Sequence, residues 1–412
     1  AGNVHRGSLA WQPVRVPGFE PFRALRYAPD RDLDRVSAPP YDVIDEHDVA
    51  RLLSVDPDNI VAVDFPLEAN GPGRYDAAAA TLHDWVERGV LVADPTPSFT
   101  LYRMQFRDET GTERETVGVL GALEVVDEGA GGVLPHERTT PKAKTDRLDL
   151  TIATEANLSP VWGLSLAAGL TDVLREPGEA MGRCTDEEGV VHIVERVDDP
   201  ARVAAIRAAV SSAAVVIADG HHRYAISRTY RDRQRGTTGR DDLESERTLT
   251  YVGELVADQL SVAAIHRLVR GVSADELIAG LDACFDAAPA GTVTPAFART
   301  VVERGALCVV HPDGSGTWLT PRPGAFDGVR DLDSARLEHA LAALPAAEIS
   351  YQHGVAHIVD AVTSGRADAG VLIRPVSIAE IRRTADEGAL MPPKSTFFSP
   401  KLRTGLVIRP LH

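Results

Sequence analysis

Apolar periodicity divides the chain into alternating helical and strand-like stretches. From Tyr75 to Val86 apolar residues fall at helical spacing (Ala77 to Ala80, Leu82, Trp85, Val86), and the run ends near Gly89. Phe99 to Phe106 and Thr116 to Val126 show the alternation or β-branched density of strands. Asp45 offers a cap to a helix over Glu46 to Leu53, and Pro200 opens an alanine-rich helix that reads through to Ala214. Arg147 to Asn157 reads as a helix that stops before Ser159-Pro160. Val215 to Ala218 is a short, fully apolar strand that runs directly into Asp219-Gly220-His221-His222-Arg223. Tyr224 to Gln234 is helical again, and Thr248 to Val256 is a further strand.

Beyond about Arg270 the pattern changes. Ser273 caps a helix running into Leu277 to Phe285, and Val301 to Val310 mixes helix and strand. Ser334 to Leu344 and His357 to Ser364 are helical, and Gly370 to Ile373 is strand-like. The alternation predicts an α+β chain, with one unit over 1–270 and a separable α+β subdomain over 271–412. A length of 412 residues agrees, since domains run to about 100–200 residues each.

Charge narrows the function. Asp and Glu number 60 against 43 Lys and Arg, a net charge of −17. Such a chain repels polyanions at long range, which argues against general binding to nucleic acid or anionic membranes. A local phosphate site is still allowed. Cys184, Cys284 and Cys308 are scattered and form no Cys-x-x-Cys pair, so neither a disulfide scaffold nor a structural zinc site is expected. The apolar stretch Val203 to Ala218 is broken by Arg207 and two serines, too polar to span a bilayer. The first twenty residues show no basic start followed by an apolar core. A soluble, cytoplasmic protein is the expectation.

Three strings carry candidate chemistry. At Asp219 to Arg223 a buried strand ends, Gly220 permits a tight turn, and a helix starts whose outward N–H groups favour an anion. Arg223 can add a bidentate phosphate contact, and His221 and His222 supply donors or acid–base groups. Asp219 is placed to bind a divalent metal or to orient a histidine. A capped helix with surface polar residues is the plainer alternative for any one of these positions. The second string, His136-Glu137-Arg138-Thr139, follows the glycine-rich connection Gly129 to Pro135 and precedes Lys142, Lys144 and Arg147. One carboxylate among cations suits phosphate handling, with Glu137 as base or metal ligand and Arg138, Thr139 and Lys142 on phosphate. It is not a His-Glu-x-x-His zinc pattern, because Thr140 stands three residues after Glu137. A solvated loop weighs equally. The third, Met391 to Lys401, sets Lys394, Ser395 and Thr396 in a proline-stiffened loop, either over a ligand or as an internal strap. Asp42, in the turn Pro39-Pro40-Tyr41-Asp42, is a candidate base or a simple turn former.

These strings occur in order: Phe22-Arg23-Ala24-Leu25-Arg26-Tyr27, Ala38 to Ile44, His136 to Thr139, Asn157-Leu158-Ser159-Pro160, Ala218 to Tyr224 and Pro392 to Thr396. Over about residues 19–410 the set resembles domain-of-unknown-function family 1015, a name that carries no activity. Asp-Gly-His-His-Arg after a strand is also similar to the phosphate-contacting box of the ParB/sulfiredoxin-like superfamily. That superfamily includes a kinase of free serine, CTP-binding ParB proteins and ATP-using sulfiredoxins. The resemblance implies a ParB/sulfiredoxin-like mixed core over 1–270, with Gly220 to Arg223 on the phosphates of ATP, ADP or CTP, and Mg2+. Histidine stands where sulfiredoxin has its catalytic cysteine, and the helix-turn-helix neighbourhood of ParB is absent.

Phosphoryl transfer needs an anion cradle, a divalent metal and a base that holds the acceptor hydroxyl in line. The expectation is a nucleotide-dependent kinase with catalytic roles among Asp42, Glu137, Asp219 and His221. Its acceptor would be a small hydroxylated metabolite, with free serine suggested by the superfamily resemblance. The competing class is a nucleotide-binding regulator. Glu137, Arg138 and Lys394 are expected to converge on a main pocket floored by Asp219 to Arg223. An oligomer is compatible with all of this.

Overall fold

The structure is a computed structural model that describes residues 15–108, 111–136, 144–392 and 394–412. It is a mixed α+β fold built on two sheets. Among the described residues the larger sheet has nine strands. Its order runs Val133–Pro135, Val215–Asp219, Val161–Ser165, Arg247–Glu254, Glu113–Glu124, Phe99–Arg107, Val191–Val197, Glu179–Thr185, with Phe19–Glu20 pairing the long strand Glu113–Glu124. The second sheet has six strands, in the order Phe285–Thr292, Ser315–Pro321, Leu307–Val310, Ala369–Leu372, Ile265–Arg270, Glu348–His353.

The continuous apolar run at Val215 is explained by its two neighbouring cores. Side chains alternate across a strand, and a strand covered on both faces needs apolar residues at every position. Val215 and Ile217 pack with Leu170, Leu174, Ile206 and Val210. Val216 and Ala218 pack on the other face with Ile381, Met391, Phe398 and Leu402. The second cover comes from the far end of the chain. Phe397–Ser399 pairs antiparallel with Ser261–Ala263, and Arg409–Pro410 pairs with Ala156–Asn157. Residues 397–410 of the stretch 271–412 therefore pack into the first sheet's half of the molecule.

Several elements differ from the periodicity reading. The helix expected over Arg147 to Asn157 spans Lys144–Thr154. Glu155 ends it with a left-handed φ of 45°, and Leu411 N–H closes on the Glu155 carbonyl. The Pro200 helix stops at Val210, where Ser211 caps it and Ser212 turns its hydroxyl onto Ala209 O. The helix after Gly220 begins at His221, three residues earlier than the apolar spacing indicates, and runs to Thr238. Phe285 starts a strand, since the Ser273-capped helix already ends at Leu281. The strands Val161–Ser165, Glu179–Thr185 and Val191–Val197 and the helix Ile378–Asp386 had no place in that reading. No helix of the described residues is long and apolar enough to cross a membrane.

Candidate functional site

The strand Val215–Asp219 breaks register with its neighbour Val161–Ser165 between Ile217 and Asp219. The chain then turns at Gly220, with φ 82° and ψ 29°, directly into the helix. Left-handed backbone disfavours any side chain there. Space is tight as well, because a Cβ would lie 3.0 Å from Arg223 Nε and 3.3 Å from Val161 Cα, so a neighbour would have to give way. Glycine is what allows the strand end and the first helical turn to meet this closely.

Asp219 is held from three sides. Its Oδ1 accepts from Gly220 N–H at 2.9 Å, its Oδ2 accepts from Lys401 Nζ at 3.1 Å, and Arg223 Nη2 stands 3.5 Å away. Burial alone would raise its pKa, but Lys401, Arg223 and the Gly220 amide outweigh burial and hold the carboxyl well below the ordinary range. Lys401 also lies over the Phe397 ring at 4.4 Å. Arg223 donates to the Pro160 carbonyl. Burial opposes its charge, yet Asp219, Asp42, Tyr41 and Asp64 together raise its pKa.

A pair of histidines forms the other wall. His136 is buried, with Nδ1 2.5 Å from the Ile217 carbonyl and Nε2 2.7 Å from Thr396 Oγ1. A carbonyl only accepts, so Nδ1 carries the proton and the Thr396 hydroxyl donates to Nε2. Burial pushes the His136 pKa down to about 4, which keeps this neutral tautomer at pH 7. The His221 ring centroid is 5.0 Å away. Burial, with His136 beside it, pushes His221 down to about 3. His221 Nε2 and Arg223 Nε are both buried, and neither has a hydrogen-bond partner among the described residues. Two such nitrogens in the first turn of one helix favour a ligand with acceptor oxygens.

The structure thus brings Asp219, Gly220, His221, His222 and Arg223 together with Thr396, which arrives through His136. Asp42 is exposed and reaches the cluster electrostatically, through Arg223. Ser395 is buried and hydrogen-bonds Pro392 O and Ser334. Lys394 is exposed on left-handed backbone, and among the described residues no hydrogen bond or ion pair ties it to the cluster. Glu137, Arg138, Thr139 and Lys142 lie outside the described residues. Around the cluster, Met391 N–H donates to the His136 carbonyl, Phe398 packs edge-on against the His136 ring and Lys401 meets Asp219. A groove of about 750 Å3 lies elsewhere, between Phe22, Leu82, Thr154 and Pro410.

Lys401, His136, Tyr41 and Arg147, which stood in the candidate strings without roles of their own, also belong to this neighbourhood, as does Asp64, which the sequence reading did not name. Asp64 carried a legible signal, a carboxylate inside the apolar run Ile60 to Phe65, where a buried charge demands a partner. The pairing of Lys401 with Asp219 carried none, since the two are 182 residues apart. The described residues do not fit a metal centre. Asp219 already faces a lysine and an arginine, and among the described residues no group of three or more His, Cys, Asp or Glu could hold an ion.

A family model described as protein of unknown function (DUF1015) matches residues 19–335, and the chain belongs to that family. No curated protein matches. Among solved structures, a conserved hypothetical protein from Pyrococcus furiosus is 12% identical with a TM-score of 0.35, over 65% of this chain and 86% of its own. A free serine kinase in complex with AMP is 14% identical with a TM-score of 0.35, over 65% and 83%. SbnI with a C-terminal truncation, from Staphylococcus aureus, is 12% identical with a TM-score of 0.37, over 71% and 87%. All three are remote likenesses.

Proposed function

We propose that this member of the DUF1015 family is a nucleotide-dependent phosphotransferase, a kinase of a small hydroxylated metabolite such as free serine. The observation that carries the reading is the pair of buried, unpartnered nitrogens, His221 Nε2 and Arg223 Nε, at a helix start beside Lys401. Phosphate oxygens are the acceptors such a site suits. The likeness of Asp219 to Arg223 to the ParB/sulfiredoxin-like box supports the same placement, with ATP, ADP or CTP as the nucleotide.

In the reaction the acceptor oxygen attacks the terminal phosphorus, and the bond to the bridging oxygen breaks. The nucleoside diphosphate leaves from a triphosphate donor, or the monophosphate from ADP, and the hydroxyl proton passes to a carboxylate, Asp42 or Glu137. Arg223 and the first turn of the helix neutralise the phosphates. Asp219 fixes Lys401 and Arg223 beside them. His136 and His221, both neutral, donate or accept hydrogen bonds without adding charge. Mg2+ bound to the nucleotide would supply further charge neutralisation.

Calorimetric binding and steady-state rates on variants test this. Arg223→Ala should weaken nucleotide binding about ten- to a hundredfold, the loss of a charge-assisted contact of about 1.5–3 kcal/mol. Asp42→Asn or Glu137→Gln should slow turnover by about 10²–10⁴ with little change in binding. Nucleotide binding without any acceptor-stimulated turnover would instead favour a regulator. Unchanged binding in Arg223→Ala would show that the site is elsewhere.

A further inference from the structure

Two of the ordered strings, Ala38 to Ile44 and Asn157 to Pro160, meet at a small cavity on the far side of Arg223. Its volume is about 50 Å3. One water needs about 10–15 Å3 on the same measure, so a carboxylate-sized group has room.

The wall of this cavity is charged and tightly organised. Asp64 is buried, and its Oδ1 accepts from Arg147 Nη1 at 3.1 Å. Ser159 Oγ reaches both Asp64 oxygens at 3.2–3.3 Å, and Thr404 Oγ1 lies 3.1 Å from the same hydroxyl. The Arg147 guanidinium stacks on the Tyr41 ring, its carbon 3.4 Å from the ring centroid. That stacking fixes the plane of the fork. Arg223 lines the cavity from the other side, with its buried Nε unpartnered among the described residues.

Counting donors against acceptors gives the sign of the ligand. Asp64 is engaged by Arg147 and Ser159, while among the described residues the two guanidiniums retain donors beyond those directed at the Asp64 carboxylate and carbonyl, Asp219 and Pro160. A surplus of donors suits an anion. Asp42, Asp64 and Asp219 all act on Arg223, so the surroundings favour one negative charge over two. A carboxylate meets both conditions better than a phosphate. Arg223 connects the cavity to the helix start, which puts the occupant next to the nucleotide phosphates.

We propose that the cavity between Tyr41, Asp64, Arg147, Ser159 and Arg223 holds the carboxylate of the phosphoryl acceptor, making that acceptor a hydroxy acid or hydroxy amino acid. The assignment of an acceptor depends on the phosphotransferase reading. The binding of a carboxylate does not.

The test titrates the full chain calorimetrically with L-serine, L-threonine and glycerate. Ethanolamine and glycerol serve as counterparts without a carboxylate, and inorganic phosphate is a third arm. At least one carboxylate probe should bind, with its counterpart at least about tenfold weaker. Arg147→Lys keeps a cation opposite Asp64 but loses the planar fork and the stack. It should weaken that probe about ten- to a hundredfold while its thermal midpoint confirms folding. Equal binding of probe and counterpart, or no carboxylate binding at all, overturns the proposal without reference to any variant. So does phosphate binding that depends on Arg147 more strongly than carboxylate binding does. ADP, ATP and CTP titrated into the wild-type protein separate the two readings. Carboxylate binding without binding of ADP, ATP or CTP keeps the subsite and removes the kinase, whereas nucleotide binding without carboxylate binding does the reverse.

Discussion

Gly220→Ala and Gly239→Ala place the same methyl group at the two ends of one helix. Both glycines are left-handed, with φ 82° and 69°. The backbone penalty for alanine there is about 1–2 kcal/mol, offset by about 0.4–1 kcal/mol from the stiffer unfolded chain. The surroundings differ. A Cβ at Gly239 meets nothing within 4 Å, whereas one at Gly220 lies 3.0 Å from Arg223 Nε, 3.1 Å from Arg223 Cζ and 3.3 Å from Val161 Cα. Val161 is strand backbone and cannot retreat, so the guanidinium must. That movement pulls Arg223 from the Pro160 carbonyl and from Asp219, a charge-assisted loss of about 1.5–3 kcal/mol. The expected totals are about 0.5–1.5 kcal/mol for Gly239→Ala and about 2–4 kcal/mol for Gly220→Ala. At about 2–4 °C per kcal/mol for a unit of this size, thermal midpoints should fall by about 1–6 °C and about 4–16 °C respectively. Gly220→Ala should also weaken ADP binding at least about tenfold, while Gly239→Ala should leave it intact. Equal midpoints in the two variants, with equal ADP affinity, would refute the claim that Gly220 exists to seat Arg223.

Two further expectations concern pH. Burial pushes His136 down to about 4, while a histidine in the unfolded chain titrates near ~6.5. Its contribution is complete above about pH 6.5 and is lost as pH falls towards 4, at about 1.4 kcal/mol per unit or roughly 3 kcal/mol in all. Denaturant midpoints measured across that window should fall less steeply in His136→Gln, and parallel slopes would count against a buried neutral histidine. Asp219 is opposed by burial but held well below the ordinary carboxylate range by Lys401, Arg223 and Gly220 N–H, so its contribution is present above about pH 3.9 and disappears only at lower pH. Lys401→Met removes the strongest of those influences, and the acid-unfolding midpoint followed by circular dichroism should move upward. An unmoved midpoint would mean that the Lys401 contact is not formed in solution.

The local signals in the sequence were those set by neighbours along the chain. Val215 to Ala218 had to be a buried strand because four successive apolar residues suit a strand with cover on both faces. The capping box of Ser273 and Glu276 and the periodic run around Leu82 announced their helices for equally local reasons. Asp219 to Arg223 stood out because the polarity change is abrupt within five residues. The strand Val161–Ser165 was not legible, because its Trp, Gly and Ser become strand residues only between Val215–Asp219 and Arg247–Glu254. Nor was the meeting of Met391, Thr396 and Lys401 with His136 and Asp219, which joins positions far apart along the chain. Sequence by itself determined which segments are apolar, that Gly220 allows a tight turn, and which strings are rich in chemistry. Tertiary structure alone decided that Lys401 faces Asp219 and that Arg147 stacks on Tyr41 beside Asp64. Charge pairs of this kind are fixed by distance in space, and in a folded chain that distance bears no relation to distance in sequence.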